Sequence, residues 1–186
     1  TLFPYTTLFR LDRFSFTATQ ASVDGYFQTG TSVTYGYTLL RQGTRLRVLY
    51  VQPGSPADLA GLRRGATIAQ VDGTSLAQPA NDVQYAALYP SKSETHRFDI
   101  VDPGKTEMRS VNMTAISMSS KPVLSNQVLN VDGRKYGYMV FNDHIQSAEQ
   151  MLIDGVNQFK AAGVQDLILD LRYNGGGYLY IADEIA

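Results

Sequence analysis

Asn174-Gly175-Gly176-Gly177 stands between an apolar run, DLILDL (166–171), and a stretch that reads as the start of a helix, YLYIADEI (178–185). A strand that runs into glycines and then into a helix leaves backbone N–H groups free at a helix N-terminus, where an anion can sit. Three anions compete for such a place. A nucleotide pyrophosphate requires G-x-G-x-x-G, but Tyr180 takes the last glycine position. A P-loop requires Lys and then Ser or Thr after the glycines, where this chain has Tyr178 and Leu179. The third anion is the oxyanion of an acyl-transfer intermediate, which asks only for two well-aimed N–H donors and a nucleophile nearby.

The nucleophile is harder to find. The chain has no cysteine, which excludes a thiolate nucleophile, a thiolate metal site and a disulfide framework. His96 and His144 invite a Ser-His-Asp triad, with Asp143 next to His144. Side chains adjacent in sequence do not face each other, however, so the triad is rejected. Arg172 and Asn174, at the mouth of the glycine loop, have two readings: support for an oxyanion site, or an ordinary salt bridge and an Asx-type turn.

The elements that must position this loop follow from periodicity. With 186 residues, 44% of them hydrophobic and 18% charged, the chain can bury a core. A net charge of −1 leaves no basic footprint for nucleic acid. No apolar run reaches the roughly 18 residues needed to span a bilayer, and no metal or other cofactor is called for. RLRVLYV alternates Leu46, Val48 and Tyr50 with Arg45, Arg47 and Leu49, the period of a half-exposed strand. PADLAG (56–61) is a one-turn helix between Pro56 and Gly61, and ATIAQVDG is a strand closed by the Asp72-Gly73 turn. PANDVQYAALY is a helix expected to turn Val83, Ala86 and Ala87 to the core and to stop at Pro90. THRFDIVDPGKTEMRSVNMTAI is a hairpin around Pro103-Gly104, and QVLNVDGRKYGYMVFN is another around Asp132-Gly133. Ile145, Ala148, Leu152, Val156 and Phe159 then fall at helical spacing, with Gly163 as the stop. In DLILDL, Leu167, Ile168, Leu169 and Leu171 leave almost no polar face, so the strand is expected to be buried on both sides.

Two resemblances organise these elements. YGYTL at 35–39, VQPGSPADLAGLRRG at 51–65 and IAQVDG at 68–73 resemble a PDZ domain of the bacterial, circularly arranged kind. In that fold a loop leading into a strand offers N–H groups to the carboxylate of a peptide chain end, and the peptide adds a strand to the sheet edge. The resemblance places that loop at Tyr35, Gly36 and Tyr37 and the binding strand at Thr38 and Leu39; a domain that only packs or gates is the alternative. Ala66 departs from the pattern, since these domains usually carry Asp after the glycine.

YGYMVFN at 136–142 and FKAAGVQDLILDLRYNGGGYLYIADEIA from Phe159 onward are similar to the carboxyl-terminal processing proteases, the serine peptidase family S41 with a Ser-Lys dyad. The L-R-x-N-x-G-G pattern is carried by Leu171, Arg172, Asn174, Gly176 and Gly177. The resemblance makes the Gly176 N–H the oxyanion donor, lets Gly175 and Gly177 shape the loop, and has Arg172 and Asn174 brace it. It puts the family's serine and lysine downstream of the loop, and none of Ser55, Ser91, Ser110, Ser117 or Ser125 lies in the nucleophile's context. The fold class it implies is mixed, α+β and α/β: a PDZ domain followed by the first part of a ClpP/crotonase-like peptidase core.

The expected division is a lead-in over 11–30, a PDZ domain over 31–116, a linker over 117–126 and a truncated peptidase core over 127–186. Residues 1–10, TLFPYTTLFR, match the in-frame translation of a short-read sequencing adaptor and are expected to be an artefact. The function implied is a fragment, inactive by itself, of a bacterial periplasmic or cell-envelope endopeptidase whose PDZ domain recognises the C-terminal segment of a protein or peptide substrate. A PDZ scaffold that binds peptides without catalysis is the alternative.

Overall fold

In a computed structural model the chain is described over residues 20–185. The adaptor-like segment 1–10 and the first part of the lead-in lie outside the described residues. The described chain starts with a short helix, α1 (Gln20–Asp24), that runs into a π-helical turn (Gly25–Thr29) ended by Gly30 at φ 69°.

A six-stranded antiparallel sheet follows. It contains β2 (Tyr37–Gln42), β3 (Arg45–Val51), β4 (Thr67–Val71), β5 (Thr74–Ser75), β6 (Thr95–Val101) and β7 (Met108–Thr114), ordered β2-β3-β4-β6-β7 with β5 attached to β4. Its inner face packs Val48, Ile68, Phe98, Ile100 and Met113, each at most 2% exposed, against Tyr35, Leu62 and Leu76. The alternation read in RLRVLYV holds: Leu46 and Val48 are buried and Arg45 is exposed. Asp72 and Gly73 both have positive φ, as a two-residue turn of the primed type requires. Ala66, the departure from the PDZ pattern, is fully buried and exchanges backbone bonds with Val48 and Arg63, so a charge here would have to enter the core.

Two short helices close the sheet. In α2 (Pro56–Leu59) the Ser55 hydroxyl caps the Asp58 N–H and Pro56 opens the first turn. In α3 (Asp82–Leu88) the expected inward face is corrected. Asn81 and Gln84 form a reciprocal capping box, so the buried positions are Gln84, Ala87 and Leu88, while Val83 is 79% exposed and Ala86 is also exposed. Gln84 earns its burial by donating to the Ser75 carbonyl at 2.9 Å.

The residues read as a linker over 117–126 are not an open connector. β8 (Ile116–Ser119) pairs antiparallel with β1 (Thr31–Thr34), and β9 (Val123–Val131) starts three residues after Ser120. β9, β10 (Arg134–Phe141) and β11 (Asp166–Asp170) form a second sheet, ordered β11-β10-β9, with β10 and β11 parallel across the helix α4 (Ala148–Ala162). The inward face of α4 is Ala148, Leu152, Gly155 and Phe159; Val156, expected there, is 53% exposed. A Cβ on Gly155 would stand 2.7 Å from Met139 Cε, so this glycine is what lets the helix lie close on the sheet. DLILDL differs from its expectation among the described residues: β11 pairs with β10 alone, and Leu167, Ile168 and the following Leu171 are 50%, 48% and 46% exposed. A final helix, α5 (Leu179–Ile185), leaves the glycine loop and buries Ile181.

Candidate functional site

The glycine loop is held first at the end of β11. Asp170 is buried, and its carboxylate accepts from Arg172 Nε at 2.9 and 3.0 Å, from the Arg172 backbone N–H at 3.1 Å and from the Tyr138 hydroxyl at 2.6 Å. The strap ties β11 to β10 across the sheet. The Arg172 guanidinium, with help from Tyr138, holds the Asp170 carboxyl well below the usual carboxylate range, and the carboxylate in turn raises the Tyr138 hydroxyl. A carboxyl lowered by folding adds stability above its unfolded pKa of about 3.9 and loses it as pH falls through the folded value. The difference in melting temperature between the native chain and Asp170→Asn should therefore be full at neutral pH and shrink below about pH 4. A difference that stayed constant through that range would show that the carboxylate charge is not what holds the strap.

Asn174 sets the turn. Its Nδ2 donates to the Phe141 carbonyl at 3.1 Å, and its Oδ1 accepts the Gly176 N–H at 2.8 Å. The Gly175 N–H donates to the Asn142 carbonyl, the His144 N–H to the Gly176 carbonyl, and the Tyr178 N–H to the His144 carbonyl, at 2.7–2.8 Å. The loop is thus sewn along the segment that follows β10. Gly176 has φ 80° with nothing within 4 Å of where a Cβ would stand, whereas Gly177 has φ 136° and a Cβ there would meet the His144 carbonyl oxygen at 2.3 Å. Gly176 is the open apex and Gly177 is the close contact. The Gly177 N–H makes no hydrogen bond to another described residue.

Tyr173 joins this loop to the six-stranded sheet. Its ring lies 5.9 Å from that of Tyr50 on β3, and the Arg64 guanidinium sits 5.2 Å from its centroid. Beside them a cavity of about 300 Å3 is lined by Thr38 and Tyr50 from the sheet, Tyr26 from the π-helical turn, and Asp143, Tyr173 and Gly175. Burial raises the Asp143 carboxyl above its ordinary range, only partly offset by the hydroxyls of Tyr26 and Ser120. Burial and the Asp143 charge push the Tyr26 hydroxyl up as well.

Across the same cavity, whose lining also includes Gly36 and Tyr37, β2 is the edge of its sheet among the described residues. Of the residues expected to bind peptide, Tyr35 and Tyr37 turn their rings into the core, where their hydroxyls donate to the Ala87 and Leu88 carbonyls of α3 at 3.2 and 2.8 Å. The Gly36 N–H donates to Thr34 Oγ1 at 2.9 Å, and a Cβ on Gly36 would stand 2.2 Å from Ser55 Cβ, so this glycine is required by packing. Thr38 and Leu39 are half-buried along the edge strand.

The structure therefore brings Arg172, Asn174, Gly175, Gly176 and Gly177 into one tightly bonded turn. Arg172 pairs with Asp170 and Asn174 makes an Asx-type turn, so the ordinary interactions considered for them are present. His144 contributes its backbone, while its ring packs on Phe141 at 4.8 Å; His96 lies elsewhere, 2.6 Å from Asp72. Sequence reasoning missed Asp170, Tyr173 and Tyr138. Asp170 had a signal, as the lone acid closing an apolar strand two residues before an arginine.

Comparison with known proteins finds two family models that match separate parts of the chain. Residues 47–94 match the model of the PDZ domain, and residues 135–186 match that of peptidase family S41. A carboxyl-terminal-processing protease of Picosynechococcus is 30% identical over 141 residues, 76% of this chain and 34% of that protein. The carboxy-terminal processing protease CtpB of Bacillus subtilis is 24% identical over 143 residues, 75% of this chain and 29% of that one. The chain spans about a third of the length of these curated relatives. Among solved structures, a photosystem II D1 C-terminal processing protease has a TM-score of 0.59 at 23% identity, covering 82% of this chain and 42% of its own. A putative S41 protease from Bacteroides fragilis has a TM-score of 0.56 at 27% identity, covering 88% of this chain and 48% of its own.

Proposed function

We propose, for a chain that belongs to peptidase family S41 in residues 135–186 and to the PDZ domains in residues 47–94, that it supplies the peptide groove and the oxyanion loop of a serine endopeptidase. In this reading the C-terminal segment of a protein substrate adds to the open edge of β2, with its carboxylate near the Tyr35-Gly36-Tyr37 turn. The scissile carbonyl lies over the glycine loop, and Gly176 offers its N–H once Asn174 Oδ1 lets it go, with the Gly177 N–H, which has no partner among the described residues, beside it. A Ser-Lys dyad outside these 186 residues completes the site, the lysine taking the serine proton because an apolar pocket lowers its pKa. Among the described residues Lys92 pairs with Glu94 and Lys135 reaches the Ala162 carbonyl, and no lysine contacts a serine hydroxyl. The site of action is the bacterial cell envelope; among the described residues no helix is long and apolar enough to cross a membrane.

The observation that carries this reading is the apex at Gly176, open to any approaching group yet held from behind by the Asn142 and His144 backbone. One feature favours a second reading. The Gly176 N–H is already taken by Asn174, as a PDZ scaffold without catalysis would allow. The purified chain is expected to leave casein intact and to bind a peptide ending in a free carboxylate about tenfold more tightly than the same peptide amidated, the factor expected from one charge-assisted contact. Proteolysis that follows the chain through purification would overturn the inactivity, and equal binding of the two peptides would overturn the groove.

A further inference from the structure

We propose that the cavity between the PDZ sheet and the glycine loop is a subsite for the cationic head of a lysine or arginine carried by a polypeptide lying over the loop. The inference rests on the peptidase reading and names part of the substrate. The cavity is lined on one side by Thr38, Tyr50 and Tyr26, with Gly36 and Tyr37 of the turn proposed to hold a chain-end carboxylate beside them, and on the other by Asp143, Tyr173 and Gly175.

Asp143 is the reason to expect a cation. It makes no ion pair with another described residue; the hydroxyls of Tyr26, and of Ser120 at 3.5 Å, reach it, and the neighbouring His144 acts on it through space without a hydrogen bond. A carboxylate taken from water without an ion pair is costly, and here burial outweighs what the two hydroxyls and His144 supply. An ammonium or guanidinium entering the cavity would supply the missing charge. The walls suit such a group, because tyrosine rings present negative faces to cations. The Tyr173 ring already accepts Arg64 at 5.2 Å and Arg172 at 6.0 Å, but neither arginine lines the cavity or pairs with Asp143.

Gly175 places this subsite next to the reacting position. A Cβ there would stand 3.5 Å from Asp143 Oδ1, so the carboxylate lies one side-chain contact away from the loop. A polypeptide whose carbonyl sits at the Gly176 apex therefore has a neighbouring side chain within reach of Asp143. The subsite would select among segments for those carrying a basic residue beside the bond to be cut.

The test titrates the isotope-labelled chain with the tripeptides Ala-Lys-Ala and Ala-norleucine-Ala, both blocked at their ends, and with butylammonium, while backbone amide signals are followed. The lysine peptide is expected to shift the Gly175 and Thr38 amides and to saturate at least about tenfold below the norleucine peptide. Asp143→Asn, which can still accept from Tyr26 and Ser120, should abolish that difference. Tyr173→Leu should reduce it while the amide spectrum of the β-sheets stays native, which guards against a variant that only misfolds. Equal response to the two peptides, a preference that survives Asp143→Asn, or butylammonium binding as tightly as the lysine peptide would overturn the proposal. The amides of Leu40–Gln42 on the edge strand keep its failure apart from that of the underlying reading. If they ignore a peptide with a free C-terminus, the peptide-binding reading falls and this inference with it; if they respond but lysine is not preferred, only the inference falls.

Discussion

Gly177→Ala is expected to detach the glycine loop from the segment behind it while the PDZ sheet stays folded. The added Cβ would stand 2.3 Å from the His144 carbonyl oxygen and 2.9 Å from its carbon, and both are backbone atoms already engaged on either side. His144 donates to the Gly176 carbonyl and accepts from Tyr178, so it cannot retreat without breaking one of these bonds. The glycine's φ of 136° adds a second cost, because side chains rarely tolerate that region. Strain of about 1–3 kcal/mol and overpacking of about 1–3 kcal/mol together exceed what a surface turn with a few hydrogen bonds holds. The loop should therefore open locally. Amide exchange at Tyr178 and His144 should speed up by about a hundredfold, while exchange in β4 and β6 stays as it was. Unchanged protection at Tyr178 would show that the close contact at Gly177 is not what orders the loop.

The two-part order, the hairpins and the glycine turn were legible because each rests on local chemistry. Positive-φ pairs such as Asp72-Gly73 and Asp132-Gly133 announce their turns whatever surrounds them. What surrounds an element was less legible. DLILDL reads as buried on both faces, yet among the described residues β11 pairs with β10 alone, and Leu167 and Ile168 in it and Leu171 just after it are about half exposed. Apolar character specifies that a strand wants cover, and only the neighbours decide whether it has it. Helix faces failed by one position for a similar reason. In α4 the position nearest the sheet is Gly155, whose missing side chain is the contact, so counting apolar residues alone shifted the face to Val156. In α3 the error was avoidable: Asn81 and Gln84 stand at capping-box spacing, which draws Gln84 inward.

The site divided in the same way. Asn174, Gly175, Gly176 and Gly177 could be picked out because a turn needs those residue types, and they do form one turn. Tyr173 occupies the unspecified position between Arg172 and Asn174. Its importance lies in meeting Tyr50 and Arg64, residues more than a hundred positions earlier, which no local rule connects to it. That contact joins the PDZ sheet directly to the glycine loop through one aromatic ring.

If Gly176 has the oxyanion role proposed above, Gly176→Val in a polypeptide that also carries the proposed serine and lysine should lower turnover of a peptide substrate by about 10² to 10³, the usual cost of losing one oxyanion donor. Packing offers no competing explanation at this position, since nothing lies within 4 Å of where its Cβ would stand, in contrast to Gly177. The remaining structural cost is that of a left-handed φ of 80°, about 1–2 kcal/mol for a residue with a Cβ, and it falls on an exposed apex. Gly176→Ala carries most of that backbone cost with far less bulk over the loop. The two variants together therefore separate chemistry from strain. If the N–H must meet the oxyanion at close range, valine should lose turnover well beyond alanine while both keep a native melting temperature to within a few degrees. Equal, modest losses in both would assign the effect to the φ strain, and near-normal turnover in Gly176→Val would remove Gly176 from the proposed oxyanion site and leave the Gly177 N–H, without a partner among the described residues, as the donor to examine.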